Sequence, residues 1–212
     1  MAEQQYTKAQ ALAYCKTNAL KGQEKELVMK YFMFAGGCMA KPMTDDEYHK
    51  LVLDTVAKYD FKMKGLNKLG VELEEVSEIE PIPVVGWEGG LTGPSGEMSQ
   101  KYGVTWIYFS DKQIYVYQAI IDMLHPLSLK ERAEEYFYKD VTNIATTDDA
   151  VEQTVWQKSC MGMKPSKVTI NKSSVRIVVP GDQYNIGLYP KDNEDFENKI
   201  RAAKAKLREK KA

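Results

Sequence analysis

Between residues 24 and 34, apolar side chains recur at the three-to-four-residue spacing of an amphipathic helix. Leu27, Val28 and Tyr31 would share one face of that helix, and two glycines at positions 36–37 end the pattern. The sequence therefore predicts a helix that buries one face and stops near residue 36.

A second helical signal begins at Thr44. Thr44 and Glu47 have the spacing of a capping box, in which the threonine hydroxyl accepts from an amide three residues on and the glutamate reaches back. An apolar face follows in residues 48–56, and a short helix is expected over residues 61–69, ended by Gly70. We predict that residues 1–70 form a helical N-terminal subdomain.

From residue 71 the pattern changes to short runs rich in Val, Ile, Tyr and Trp, separated by turn residues, which is typical of an antiparallel β domain. The runs that we interpret as strands are residues 82–87, 104–109, 114–121, 135–145, 151–160, 167–170, 175–179 and 184–189.

Three connections between these runs carry clear turn signals. Residues 110–113 and 171–174 predict tight hairpins, and the glycine-rich stretch 86–96 predicts a loop. Both faces of runs 104–109 and 114–121 are apolar, so we expect central strands that are covered on both sides.

The chain ends in one amphipathic helix, for which Asp192 or Asn193 is the expected N-terminal cap. Its apolar positions follow one stripe, made of Phe196, Ile200, Ala203 and Leu207. The predicted fold class is therefore α+β: the helical subdomain 1–70, then a unit 71–212 with about seven antiparallel strands and a C-terminal helix.

Composition narrows the class of protein. The 212 residues are 43% hydrophobic and 28% charged, as in ordinary globular domains, and no apolar run reaches the ~20 residues that cross a bilayer. The start of the chain lacks the pattern of a signal peptide, so we expect a cytoplasmic protein. Three widely spaced cysteines (15, 38 and 160) and two histidines (49 and 125) favour neither a disulfide framework nor a zinc site.

Charge is unevenly distributed although the net charge is −1. The C-terminal helix concentrates basic side chains that can contact an anion, a nucleic acid or an anionic membrane, and basic residues near a helix C-terminus also complement its dipole. These candidate anion-contact residues are Lys199, Arg201, Lys204, Lys206, Arg208, Lys210 and Lys211.

The order of elements resembles a bacterial pleckstrin-homology-like (PH-like) domain, in which two sheets form a barrel capped by a terminal helix. The segments WIYFSDKQIYVY at 106–117 and EYFYKDVTNI at 135–144 carry the resemblance. The whole chain further resembles a group of Firmicutes proteins with a helical leader, through KLGVE at 68–72 and KLREKK at 206–211. The resemblance implies a PH-like antiparallel barrel and no particular activity.

The sequence differs from the PH-like domains that bind lipids in one feature that bears on function. Their loop between the first two strands carries several basic residues that hold phosphates, whereas residues 88–103 offer Glu88, Glu97 and only Lys101. We therefore do not expect phosphoinositide head groups to bind there.

No catalytic, cofactor or metal residues stand out. We interpret His49 and His125 as structural or surface residues, and the cysteines as buried small hydrophobes. The glutamates of residues 72–80 favour a solvated stretch over a metal or acid–base site, and the loop 86–96 matches no phosphate-binding motif.

Three hypotheses of function follow. The first is a non-catalytic protein-interaction or self-association module, whose partner is another protein or a second copy of the chain. The second is a peripheral binder of anionic membrane or nucleic acid through the basic helix. The third is an enzyme whose site is not visible in the sequence. The sequence identifies neither the ligand nor the oligomeric state.

Overall fold

A computed structural model describes residues 7–34, 41–76, 79–159, 162–193 and 196–211. Within these ranges, leader helices come first, antiparallel strands follow, and a long helix closes the order of elements. The glycines at 36–37 and the cysteines at 38 and 160 lie outside the described residues, so the predictions made for them are not addressed.

The described residues of the leader form four α-helices, and the last three of them lie where the sequence predicts helices. They are α1 (Lys8–Thr17), α2 (Gly22–Leu27), which continues as a π-helical turn over Val28–Phe32, α3 (Asp45–Val56) and α4 (Phe61–Leu69).

The predicted helix boundaries at α3 and α4 are confirmed by their caps. The Thr44 hydroxyl accepts from the Glu47 amide at 3.2 Å, and the Glu47 carboxylate accepts from the Thr44 amide at 2.9 Å. The hydrogen bond from the Thr44 amide lowers the pKa of Glu47. Gly70 ends α4 with φ of 69°, a left-handed conformation that glycine adopts without a steric penalty.

The strands pair as two antiparallel sheets. The first sheet has the order β1 (Ile82–Thr92), β2 (Ser99–Phe109), β3 (Gln113–Asp122) and β4 (Lys130–Phe137), and the second has the order β5 (Asn143–Ser159), β6 (Gly162–Val179) and β7 (Asp182–Leu188). The predicted α+β class is confirmed, with helices at both ends. No ladder joins the two sheets into a closed barrel within the described residues.

The predicted loop at residues 86–96 is largely wrong, because β1 continues to Thr92. Gly89 and Gly90 have φ of 97° and 92°, and the register with β2 shifts on either side of Gly89. Glycines at these positions permit an irregular strand that still pairs. The Ser99 hydroxyl accepts from the Gly89 amide at 3.1 Å, which satisfies one amide where the ladder is broken.

Two further strand predictions need correction. The run 135–145 is divided by a turn at residues 138–140, where the buried Tyr138 donates its hydroxyl to the carbonyl of Ser110 at 2.8 Å. The hairpin at 171–174 does not exist: these residues continue β6, which pairs with β5 throughout. Asn171 is exposed, so a turn-type residue is accommodated in the strand without burying its polar side chain.

Both faces of β2 and β3 are buried, as predicted. Tyr102, Tyr108 and Tyr117 face the leader helices, whereas Ile107 and Val116 face the second sheet and the C-terminal helix. The first sheet is therefore the middle layer of the molecule.

The C-terminal helix α5 (Phe196–Lys211) packs as its apolar stripe predicts. Phe196, Ile200, Ala203 and Leu207 are all at least 93% buried, and they share one buried cluster with residues of both sheets, including Ile144 of β5.

Candidate functional site

A groove runs between β5 and α5. It consists of two adjoining cavities of about 660 and 410 Å³. Both cavities are lined by Thr146 on β5 and Lys204 on α5, so they form one continuous depression. The larger cavity extends toward Phe196 at the start of α5, and the smaller one extends toward Arg208 near its end.

The β5 side of the groove is the edge of a sheet. The order of the second sheet is β5–β6–β7, so β5 has a strand neighbour on one side only within the described residues. An edge strand presents backbone N–H and C=O groups that another extended chain can pair with. The groove therefore offers a backbone template along residues 143–146.

The α5 side of the groove carries three of the seven basic residues that the sequence singled out. Arg201 and Lys204 line the larger cavity, and Lys204 and Arg208 line the smaller one. They lie at i, i+3 and i+7, which places them on one face of the helix.

The other four basic residues are placed differently. Lys206 forms an ion pair with Glu209 at 3.6 Å, and Lys210 forms one with Asp111 at 3.6 Å. Lys199 is half-buried and lines neither cavity, and the side chain of Lys211 lies outside the described part of the structure. The structure therefore divides the predicted basic patch between two sides of α5.

The groove has a charge gradient along its length. Asp148 and Glu197 line only the larger cavity, where they offset Arg201 and Lys204, whereas none of the described residues that line the smaller cavity carries a carboxylate. Asp148 accepts a hydrogen bond from the Ser173 hydroxyl at 2.6 Å. The end of the groove near Arg208 is thus its basic end.

Asp192 and Asn193, the predicted caps of α5, are followed by residues 194–195, which lie outside the described residues, so the prediction of the cap is not addressed. The Asn193 side chain bonds the backbone of Val85 on β1 in both directions, each at 2.9 Å. Asp192 accepts from the Tyr102 hydroxyl at 2.5 Å and lies 2.9 Å from Nε2 of His49. Both side chains are used to attach the segment before α5 to the first sheet and to the leader.

The sequence did not indicate that His49 and Asp192 contact each other, because 143 positions separate the two residues. His49 also packs edge-to-face on Tyr189 with ring centroids 5.8 Å apart. The pair joins the leader to the segment before α5, and no cysteine, serine or threonine hydrogen-bonds His49 within the described residues.

A second missed feature is the carboxyl of Glu88, which the sequence placed in a loop. It accepts from the Gly187 amide and from the Gln118 side chain, each at 3.3 Å. Burial raises the pKa of Glu88, because it disfavours the charged form more than the Gly187 amide favours it.

The remaining candidates make local contacts or are buried. His125 lies 3.5 Å from Asp122 in the turn after β3. Glu75 accepts from the Glu72 amide in a 3₁₀ turn over Leu73–Val76. Cys15 is buried, and burial raises the pKa of its thiol, which makes it a poor nucleophile.

The described residues contain no cluster of three or more His, Cys, Asp or Glu side chains that could hold a metal ion. None of the helices in the described ranges combines the length and the apolar character needed to span a membrane. No family model, curated protein or solved structure matches the chain.

Proposed function

We propose that the protein is a non-catalytic interaction module on a PH-like scaffold, and that the groove between β5 and α5 binds an extended segment of a partner protein. The scaffold is supported by the four-plus-three arrangement of antiparallel strands followed by one amphipathic helix, together with the sequence resemblance. The two sheets approach at β1 and β7, where the Tyr189 amide donates to the Val85 carbonyl at 2.8 Å.

One observation carries the binding proposal: the free edge of β5 and the basic face of α5 border the same groove. A segment added to this edge would gain main-chain hydrogen bonds from β5, and its alternate side chains would enter the groove. The main-chain bonds provide affinity for any extended segment, so sequence preference must come from the groove.

The groove favours a segment with acidic side chains at one end. Lys204 and Arg208 share the smaller cavity with no carboxylate of the described residues, so aspartate or glutamate of the segment would pair with them. Near Asp148 and Glu197, further acidic residues would be repelled. We therefore expect a preferred direction of binding, with the acidic end of the segment beside Arg208.

A selection from a random-peptide display library tests this function. We expect the wild-type protein to enrich acidic peptides, and we expect Arg208→Glu to weaken them by about tenfold or more, the effect of about 1.4 kcal/mol. Lys199→Glu is the matched control, because it makes the same charge change on the same helix outside the groove. Amide shifts of residues 143–146 in an NMR titration should locate the peptide on β5.

The same variants separate the other hypotheses. Enriched peptides without acidic bias, or peptides that bind Arg208→Glu unchanged, would contradict the proposed groove. Retention on vesicles containing phosphatidylserine, or on duplex DNA, lost equally in Lys199→Glu and Arg208→Glu, would favour the peripheral binder. Concentration-dependent sedimentation abolished by Arg208→Glu would identify a second copy of the chain as the occupant.

A further inference from the structure

A cavity of about 560 Å³ lies where the turn between α1 and α2 meets the turn between β3 and β4. Leu20 and Leu124 line it and are only 7% and 1% exposed, and Ala19 and Pro126 add to its apolar lining. Leu20 and Leu124 belong to the buried cluster on the leader side of the first sheet, whereas α5 and its groove belong to the other side. This cavity is therefore separate from the groove beside α5.

Leu127 borders the cavity and lies almost entirely in solvent. It is 98% exposed, whereas Phe137, the next most exposed large apolar side chain among the described residues, is 49% exposed. A single exposed leucine is ordinary on a protein surface, but this one lies beside an apolar cavity of its own molecule. The surface thus presents an apolar projection and an apolar cavity side by side.

Hydrogen bonds hold the turn that carries Leu127. The Ser128 amide donates to the His125 carbonyl at 2.8 Å, and the His125 amide donates to the Asp122 carbonyl at 2.9 Å. The first of these bonds places Pro126 and Leu127 at the two central positions of a β-turn, where proline fixes the backbone φ. Because the turn is rigid, little backbone freedom is lost when a partner covers Leu127.

One cation and one anion line the same cavity. Lys21 and Glu24 lie at the start of α2, three positions apart, and neither forms an ion pair with another of the described residues. Two copies related by a two-fold axis would each present both charges. Lys21 of one copy can then face Glu24 of the other, and the axis repeats this pair.

These features together make the surface complementary to itself. A two-fold axis places the same patch of two copies face to face, so each projection needs a cavity and each charge needs its opposite within that one patch. The surface around Leu127 supplies all four. A flat anionic bilayer would cover Leu127, but it would leave the cavity unfilled and would repel Glu24.

We propose that this surface binds a second copy of the chain as a two-fold symmetric dimer. Leu127 of each copy enters the cavity of the other, and Lys21 pairs with Glu24 across the axis. The interface is small, so we expect a weak dimer with a Kd on the order of 100 µM. The dimer leaves both grooves beside α5 accessible, because they lie on the other side of the first sheet.

Sedimentation velocity of the full-length protein between about 10 and 500 µM tests the dimer, because the range spans the expected Kd. We expect the average sedimentation coefficient of wild type to rise with concentration. On dilution, the NMR amide signals of residues 18–21 and 124–128 should shift. Leu127→Asp keeps the fold, because the side chain is exposed, and should raise the Kd by about tenfold or more, since each dimer then buries two unpaired charges.

Met63→Asp is the matched control for Leu127→Asp. Met63 is also an exposed apolar side chain of the molecule, 42% exposed, and it does not line the cavity. It lies in the first turn of α4, where an acidic residue is favourable. We expect Met63→Asp to leave the association unchanged.

Charge exchange tests the two-fold arrangement. Lys21→Glu and Glu24→Lys should each weaken self-association by about fivefold, because like charges then face each other across the axis. An equal mixture of the two variants should associate about as well as wild type, since each copy again meets the opposite charge. Arg208→Glu, in the groove beside α5, should leave the association unchanged.

Four results would overturn the proposal. In the first, wild type remains monomeric at about 500 µM, five times the expected Kd. In the second, Leu127→Asp leaves the association unchanged, and loss of association in Arg208→Glu would then locate the contact in the groove. In the third, the mixture of charge variants associates no better than either variant alone. In the fourth, wild type stays monomeric but binds vesicles of phosphatidylcholine and phosphatidylserine through Leu127, which would make the surface a membrane contact.

Discussion

Gly86 on β1 and Gly187 on β7 bring the two sheets into direct backbone contact. A Cβ placed on Gly86 would lie 2.5 Å from both the carbon and the oxygen of the Gly187 carbonyl, closer than real side-chain contacts allow. A Cβ placed on Gly187 would meet the Trp87 carbonyl oxygen at 3.1 Å, which is tight but far less so. The corner thus requires glycine more strictly on β1 than on β7.

This asymmetry predicts different costs for two matched substitutions. Gly86→Ala should lower the free energy of unfolding by about 3 kcal/mol or more, because the backbones of β1 and β7 must separate. Gly187→Ala should lower the free energy of unfolding by about 1 kcal/mol, since a shift of a few tenths of an ångström relieves the close contact with the Trp87 carbonyl oxygen. Urea denaturation of both variants measures the difference. Equal midpoints for the two variants would contradict this account of the corner.

The stripe on α5 gives a second stability prediction. Ile200 and Leu207 are 4% and 7% exposed, so truncating either to Ala should cost about 2–5 kcal/mol by removing packed methyl groups. Leu127→Ala is the matched control, because Leu127 is 98% exposed and should cost about 0.5 kcal/mol or less. If the Ile200 and Leu207 variants unfold at the same denaturant concentration as wild type, α5 does not hold the two sheets together.

The sequence predicted the elements whose signal is local and missed those that depend on distant partners. The caps at Thr44 and Gly70 were predicted correctly because a cap involves residues three or four positions apart. The turn assigned to 171–174 was wrong because turn-type residues also occur in exposed strand positions, and only the β5 partner shows which applies.

The candidate site was only partly predictable for the same reason. The basic side chains of α5 were visible in the sequence, but their division between the groove and ion pairs depends on where β5 and Asp111 lie. The free edge of β5 had no sequence signal, because strand order within a sheet is not a property of one segment.

Two glutamates should respond to pH with opposite signs. Burial raises the pKa of Glu88 above its ordinary value of 4.5, so the folded state binds more protons than the unfolded state. Stability from this residue is present below pH 4.5 and falls as the pH rises through the folded pKa. Glu88→Gln should therefore stabilise the protein at pH 7, with the gain disappearing in acid.

Glu131 is the control with the reverse behaviour. Burial alone would raise the pKa of Glu131, but hydrogen bonds from Tyr117 and Lys64 outweigh it and lower the pKa. The stability that ionised Glu131 contributes is present above the ordinary pKa of 4.5, and it is lost as the pH falls through the pKa of Glu131 in the folded state. Glu131→Gln should destabilise the folded protein at pH 7 and have little effect on its stability in acid. Urea denaturation of both variants at pH 7 and in acid checks the prediction. Changes of the same sign in the free energy of unfolding at pH 7 would refute it.

The His49–Asp192 contact predicts energetic coupling between the leader and the segment before α5. Asp192→Ala would leave the Tyr102 hydroxyl and His49 without their acceptor and should cost about 1–3 kcal/mol. In a double-mutant cycle with His49→Ala, the two changes should be non-additive by about 0.5 kcal/mol or more. Additive effects in denaturant melts would show that the leader and this segment are energetically independent.

The leader packs on one face of the first sheet and should be required for folding. Tyr102, Tyr108 and Tyr117 are at most 1% exposed beneath it, and the Tyr48 hydroxyl of α3 donates to the Ser99 carbonyl of β2 at 2.8 Å. Deleting residues 1–70 would expose this face as one continuous apolar patch. We expect an aggregating or molten product that binds a hydrophobic dye, whereas the full chain should melt in one transition by both helix and tyrosine signals. A truncated protein that stays monomeric and as heat-stable as the full chain would show instead that the leader is a separate module.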